Sequence, residues 1–257
     1  MSSNYDNNGQ YTRHSILRYE KIFGEGFVSS GGVKITQSFC DRLDLPKGAK
    51  VLDIGSGLGG AAFMLADQCG AEVHGVDLAG EMITIAQERA EKQAYPVTFA
   101  LGDIRELSFE EGTFDLIWSR DALLHIPEKR ELFEKVLTWL KPGGEVMFSD
   151  YSQAPNPKTD GFKEYVKTSG YHLLDPETYG GILREVGFVN VLVEDWTPSF
   201  IEVLRDEKQS LVDKKEIFLK DFTEEDLDYL GKRWEQKIQY CLDGDMRVGL
   251  WQAFKAK

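Results

Sequence analysis

The sequence predicts an α/β chain built round a mostly parallel, seven-stranded sheet, and three observations carry that prediction. From Ala49 onward, short apolar runs, turns and amphipathic segments alternate, the rhythm of strands joined by crossover helices. Three of the runs end at or beside an aspartate: Asp53, Asp77 and Asp103. The first opens directly into a glycine-rich loop, VLDIGSGLGG at 51–60, of the kind that takes a chain from a buried strand into a helix.

The elements follow in order. Strands are expected at 50–54, 72–77, 97–101, 114–119, 145–150 and 189–196, with a seventh at 246–254 after the tight CLDGD turn. Helices are expected at 61–68, 81–93, 129–139 and 176–186, and LKPGG at 140–144 reads as a helix stop followed by a turn,. Two segments stand outside this rhythm, 9–32 and the helical, charged 196–240. The expected division is therefore an N-terminal helical lid and substrate segment at 1–48, then a core at 49–257 with a helical insert at about 197–241 before the last strand. In the opening segment Tyr11, Ser15 and Tyr19 fall at i, i+4 and i+8, a stripe on a helix that could lie over the strand ends and exclude water.

Composition removes several function classes. A net charge of −13 argues against a nucleic-acid partner, because phosphate backbones are bound through clustered Lys and Arg. No run approaches the ~20 apolar residues of a membrane span, and MSSNYDNNGQ lacks the basic and apolar regions of a signal peptide,. A cytoplasmic protein without membrane insertion is expected. Cys40, Cys69 and Cys241 are odd in number and far apart, with no CxxC, so buried reduced thiols are expected and no metal site. Nothing in these patterns encodes an oligomeric state; a monomer is compatible with them.

The glycines alone leave the ligand open. Gly55, Gly57 and Gly60 satisfy GxGxxG, a spacing shared with dinucleotide-binding folds. Asp53, before the first glycine, would repel a pyrophosphate and suits the ammonium of an amino-acid moiety. Asp77 lies where an acid meets a ribose hydroxyl in either fold. Asp103 is placed to accept from an exocyclic amine while Ile104 covers the ring. A single acid at a strand end is a turn former or helix cap. Three at successive strand ends beside this loop resemble the S-adenosylmethionine-dependent methyltransferase fold, Rossmann-like and of class I. If the segment after 114–119 turns helical, Asp121 and His125 share a face four residues apart, and His125 becomes a candidate base.

A narrower resemblance rests on QYT at 10–12, YEKIFGEGFVSSGG at 19–32, VLDIGSGLGG at 51–60, SRDALLH at 119–125, SDY at 149–151 and FKEYVK at 162–167. With RWEQKI at 233–238 and the closing strand, the chain resembles the phosphoethanolamine methyltransferases along essentially its whole length. The resemblance implies stepwise N-methylation of a phosphobase towards phosphocholine, with S-adenosylmethionine as methyl donor. It matches Tyr11 and His125 to a catalytic pair supported by Asp121. Gln10, Tyr19, Tyr151, Tyr165, Tyr171 and Lys237 match phosphobase-holding positions, mostly at the phosphate. Ser29, Asp53, Gly55, Gly57, Asp77, Leu78, Asp103, Ile104 and Arg120 match the cofactor pocket. One position departs: where the family often has an arginine just before the tyrosine matching Tyr171, this chain reads KTSGY, with Ser169 and Gly170. That motivates a rival acceptor, a small amine such as a glycine derivative. A nicotinamide-dependent oxidoreductase, suggested by GxGxxG alone, would have no use for Asp103, and a binding module without catalysis would yield no methylated product.

Overall fold

The computed structural model describes residues 12–257. In chain order the elements are α1 (Arg13–Phe23), α2 (Gly32–Cys40), β1 (Lys50–Ile54), α3 (Gly60–Cys69), β2 (Glu72–Asp77), α4 (Gly80–Ala90), β3 (Val97–Leu101) and β4 (Phe114–Arg120). A single 3-10 turn, Leu123–His125, follows β4. Then come α5 (Lys129–Trp139), β5 (Leu140–Gln153), α6 (Asp160–Thr168), α7 (Pro176–Val186), β6 (Val189–Asp195), α8 (Thr197–Asp213), α9 (Lys215–Phe218), α10 (Glu224–Leu242) and β7 (Met246–Phe254).

The seven strands form one sheet in the order β3-β2-β1-β4-β5-β7-β6. β1 to β5 pair in parallel, and β7 inserts antiparallel between β5 and β6. Parallel strands covered on both faces must be apolar on both, which is why VLDI, LIWS and VMFS run with almost no polar interruption. Successive side chains part to opposite faces. Leu52, Ile54, Ile117, Val146, Phe148 and Trp251 meet α5 and α7 on one side, while Val51, Leu116, Trp118, Met147 and Leu250 meet α2, α3 and α4 on the other. Stacking of Phe148 on Trp251, with centroids 5.0 Å apart and planes 9° from parallel, joins β5 to β7 inside the first core.

The chain's direction of winding reverses between β1 and β4, which are neighbours in the sheet but lead to opposite edges. At such a switch point the loops after the two strands diverge and leave a crevice at their C-terminal ends. A third apolar cluster roofs that crevice, where Phe23, Phe27, Phe162, Phe200, Leu204, Leu230 and Trp234 from α1, the turn after it, α6, α8 and α10 pack on the far ends of β5 and β7.

Two sequence expectations are corrected here. LKPGG does not separate a helix from a strand by a free turn; it is drawn into β5. The pairing with β4 jumps from Phe114↔Leu140 to Leu116↔Glu145, so the extra residues, with Gly143 at φ +78°, loop out as a bulge. The helix expected at 81–93 ends at Ala90. Helices α2 and α6 were not singled out as helices in the sequence: α2 has no side-chain cap at its start, and α6 is short and lacks one too. Cys40 and Cys241 are buried and Cys69 half-buried, all three as free thiols.

Candidate functional site

The glycine loop after β1 is shaped by two backbone requirements. Gly55 takes φ +74°, and a Cβ there would stand 2.2 Å from the Ala122 Cβ on the loop after β4, so only glycine lets the two loops converge. Gly60 donates its N–H to the Gly26 carbonyl at 3.1 Å, and a Cβ on Gly60 would lie 2.5 Å from that oxygen. The turn after α1 is thereby docked onto the start of α3, backbone to backbone.

A cavity opens above this loop, bordered by Ser29, Gly55, Gly57, Asp77, Leu78, Asp103, Ile104 and Arg120 at one end and by Tyr19, Asp121, His125, Tyr151, Tyr171 and Lys237 at the other. Asp77 accepts from Gly57 N on Oδ2 and from Ala79 N on Oδ1, both at 2.8 Å. Each oxygen keeps a second lone pair for a hydroxyl. Burial raises the Asp77 pKa against these bonds. Asp103 is clasped by Arg105, whose Nη2 lies 2.7 Å from Oδ2, and despite its partial burial these bonds hold its carboxyl below the usual range. Asp53 is 2% exposed and sits behind the cavity wall rather than on it. Its Oδ2 has no hydrogen-bond partner among the described residues, and burial, then Asp77, pushes its pKa up to about 7. A cation brought close would favour its ionised form.

Arg120 lines the cavity but spends its guanidinium on the chain. Nη2 donates to the Ser30 carbonyl at 2.9 Å and Nη1 to Thr36 Oγ1 at 2.6 Å, tying the Ser29–Ser30 turn and α2 to the end of β4. Glu207 of α8 holds the same turn by accepting from Gly31 N.

The loop carrying Asp121 and His125 differs from expectation. It is one turn of 3-10 helix rather than an α-helix, and Asp121 stands before it at φ +51°. A left-handed aspartate is tolerated because its short side chain bonds locally; here Ser149 Oγ donates to its Oδ1 at 2.9 Å. Asp121 and His125 therefore share the cavity, not a helical face. The 3-10 turn is held from below by a buried charge. Lys129, 4% exposed, donates Nζ to the Leu123 and Ile126 carbonyls, each at 2.9 Å, and Asp150 accepts from Leu124 N at 3.1 Å. His125 meets Tyr171 edge to face with centroids 5.2 Å apart. Burial, then the Lys129 and His172 charges, pushes its pKa down to about 4, so the imidazole is neutral near pH 7.

Aromatic rings close the far end. Tyr151 accepts from Lys237 Nζ at 2.8 Å, and Tyr171 stands edge-on to Tyr165 at 5.7 Å. Tyr165 lies behind Tyr171 and does not line the cavity. Gln10 and Tyr11 lie outside the described residues. Arg233, Leu230 and Trp234 line this end although sequence reasoning passed over them. The available signal was the spacing of Arg233 and Lys237, one helical turn apart in RWEQK,.

A switch-point cavity with a glycine loop and strand-end acids on a sheet of this order, within a region matching a methyltransferase domain family over residues 51–144, defines a Rossmann-like class I methyltransferase. The relatives narrow the class. The chain is 44% identical over 248 residues to phosphoethanolamine N-methyltransferase 1 of Triticum aestivum, covering 96% of this chain and 50% of that protein. It is 38% identical over 252 residues to the phosphoethanolamine N-methyltransferase of Plasmodium falciparum, covering 97% of this chain and 93% of that one. A solved structure of phosphoethanolamine N-methyltransferase 2 of Haemonchus contortus, bound to phosphomonomethylethanolamine and S-adenosylhomocysteine, superposes with a TM-score of 0.95 at 36% identity, over all of this chain and 60% of that one. The chain belongs to the phosphoethanolamine N-methyltransferase family, and it spans about half the length of the plant relatives it matches.

Proposed function

We propose that the protein N-methylates phosphoethanolamine and its mono- and dimethyl forms towards phosphocholine, using S-adenosylmethionine. The observation that carries this reading is a single cavity with a hydroxyl-binding acid at one end, cations among phenols at the other, and a neutral imidazole bordering it. The cofactor would supply an electrophilic methyl group on sulfur. Asp77 suits its ribose, Asp103 and Ile104 its adenine, and Leu78, Ser29 and the Gly55 and Gly57 backbone its flanks, with the Asp53 charge felt through the wall.

The acceptor needs a base. An amine like that of lysine has a pKa of about 10, so roughly one molecule in a thousand is nucleophilic at pH 7, a cost of about 4 kcal/mol. His125 removes that proton, with Tyr11 as its partner and Asp121 steadying the developing charge. The negative substrate, entering beside the cations, raises the imidazole back towards its ordinary pKa. Each methylation removes a donor from the ammonium. Phenol faces at Tyr19, Tyr151 and Tyr171 accommodate the change, because they attract quaternary and protonated nitrogen alike by about 0.5 to 2 kcal/mol. The α1 segment acts as the lid over this chemistry. A small-molecule phosphobase substrate and a cytoplasmic location belong to the same reading.

Methyl transfer from labelled S-adenosylmethionine to a panel of amines tests it. Turnover of the three phosphobases is expected; turnover of glycine derivatives alone would overturn it. A pH profile tests the cation. Burial, then the Arg233 charge, pushes Lys237 down to about 8, so it is protonated below that pH and loses its charge as pH rises through it. Phosphobase kcat/KM should therefore fall above about pH 8, well below the amine's own ionisation. Lys237→Arg should move that fall to higher pH, and an unmoved limb would assign it elsewhere.

A further inference from the structure

Arg233 precedes Lys237 by one turn of α10, and both face the tyrosine-lined end of the cavity. The arginines that flank α1 have carboxylate partners: Arg18 has Asp226 at 2.7 Å and Arg89 of α4 has Glu20 at 2.6 Å. Arg233 differs. Among the described residues no carboxylate forms an ion pair with it; its Nη1 donates to the Tyr229 hydroxyl at 3.2 Å, and its guanidinium stands 5.6 Å from the centre of that ring. The phenols of Tyr19, Tyr165 and Tyr171 also act on its charge. Lys237 is similar, bonded to the Tyr151 hydroxyl and lying 4.7 Å from that ring's centre. Glu207 and Asp121 attract Lys237 without ion-pairing to it.

Side chains four residues apart on a helix have Cβ atoms roughly 5 to 6 Å apart. Two cations at that spacing, turned towards neutral phenols, repel each other and leave guanidinium donors without an acceptor of matching charge. A doubly charged anion resolves both problems. A guanidinium binds two phosphate oxygens in parallel, whereas an ammonium serves as a point charge. We propose that Arg233 is the residue that selects for phosphate in this cavity, pairing two phosphate oxygens while Lys237 and the phenols complete the contact. The proposal rests on the phosphobase reading and supplies what the sequence left unanswered at Ser169. The guanidinium comes from α10 rather than from the turn before Tyr171, and borders the same cavity as Tyr171.

The test compares the wild-type chain with Arg233→Met and Arg233→Lys. It measures KM for phosphoethanolamine, kcat, S-adenosylmethionine affinity and the affinity of inorganic phosphate by calorimetry. Losing a hydrogen-bonded charge pair should raise KM and weaken inorganic phosphate about 10- to 100-fold in Arg233→Met. Arg233→Lys should recover part of that loss, because it restores charge but not the fork. S-adenosylmethionine affinity should stay within about twofold of wild type in both, since the cofactor end of the cavity is untouched. Wild-type turnover of phosphoethanolamine with unchanged phosphate affinity in Arg233→Met overturns the inference alone. No wild-type turnover of any phosphobase overturns the functional reading, and the phosphate calorimetry then decides Arg233 separately. Parallel loss of cofactor affinity and melting temperature in both variants would make Arg233 a packing residue and also overturn the inference.

Discussion

Replacing His125 by alanine is expected to lower turnover by about 10² to 10⁴-fold, the range that a positioned base contributes, while S-adenosylmethionine affinity stays near wild type. The split follows from the geometry. His125 borders the cavity beside Tyr171, on the loop after β4, whereas Asp77 borders it from the end of β2, two strands away in the sheet. The variant should fold, because what fixes the loop is Lys129 bonding two carbonyls and Asp150 bonding Leu124 N, none of which uses the imidazole. Single-turnover kinetics with bound cofactor isolate the chemical step. A kcat within a few-fold of wild type would remove His125 from the mechanism and leave Asp121 or Tyr11 as the base.

The same loop shows where sequence reasoning reaches its limit. SRDALLH pointed to Asp121 and His125, and both border the cavity; that they meet through a left-handed residue and one 3-10 turn was not legible. Helical spacing assumes regular φ and ψ at both residues. Whether the chain takes them here depends on Ser149 and Lys129, which arrive from β5 and α5.

The two halves of the cavity differ in legibility for a related reason. The half proposed for the cofactor is assembled at the ends of β1, β2 and β3, where strand, turn and helix start succeed one another in sequence. The acids at 53, 77 and 103 could therefore be read from position alone, although only tertiary packing sets Asp53 behind the wall and clasps Asp103 with Arg105. The other half draws on residues from Tyr19 to Lys237, brought together by the roof over the sheet. Arg233 was invisible on these terms: in EEDLDYLGKRWEQK it is one charge among many on an amphipathic helix, and what sets it apart is that no carboxylate among the described residues forms an ion pair with it.

Arg89→Met is expected to loosen the N-terminal helix from the body of the protein, and with it the catalytic site. Glu20 is 12% exposed and Arg89 19%, and the pair is bidentate at 2.6 and 3.0 Å. Glu20 Oε1 also accepts from Gly26 N at 2.6 Å, in the turn that docks on the glycine loop. Removing one member of this part-buried pair strands the other, at a cost above that of an exposed pair and towards the roughly 3 to 5 kcal/mol of a fully buried one. That outweighs what the exposed pairs of Arg13 with Glu81 and Glu88 return, each worth no more than about 1 kcal/mol. Arg18 and Asp226 still hold the other side of α1, bonded at 2.7 Å, so the loss should be local. Amide exchange should accelerate in α1 and the 24–28 turn while β1 and β4 stay protected, and kcat should fall with α1 displaced from Tyr19's position in the cavity wall. Glu20→Leu combined with Arg89→Met removes both charges and should restore most of the protection, since a buried ion pair is often replaceable by apolar contact. If single and double variants exchange alike, the ion pair is not what closes α1 over the site, and the weight falls on Ile16 and Phe23 in the apolar contacts beneath it.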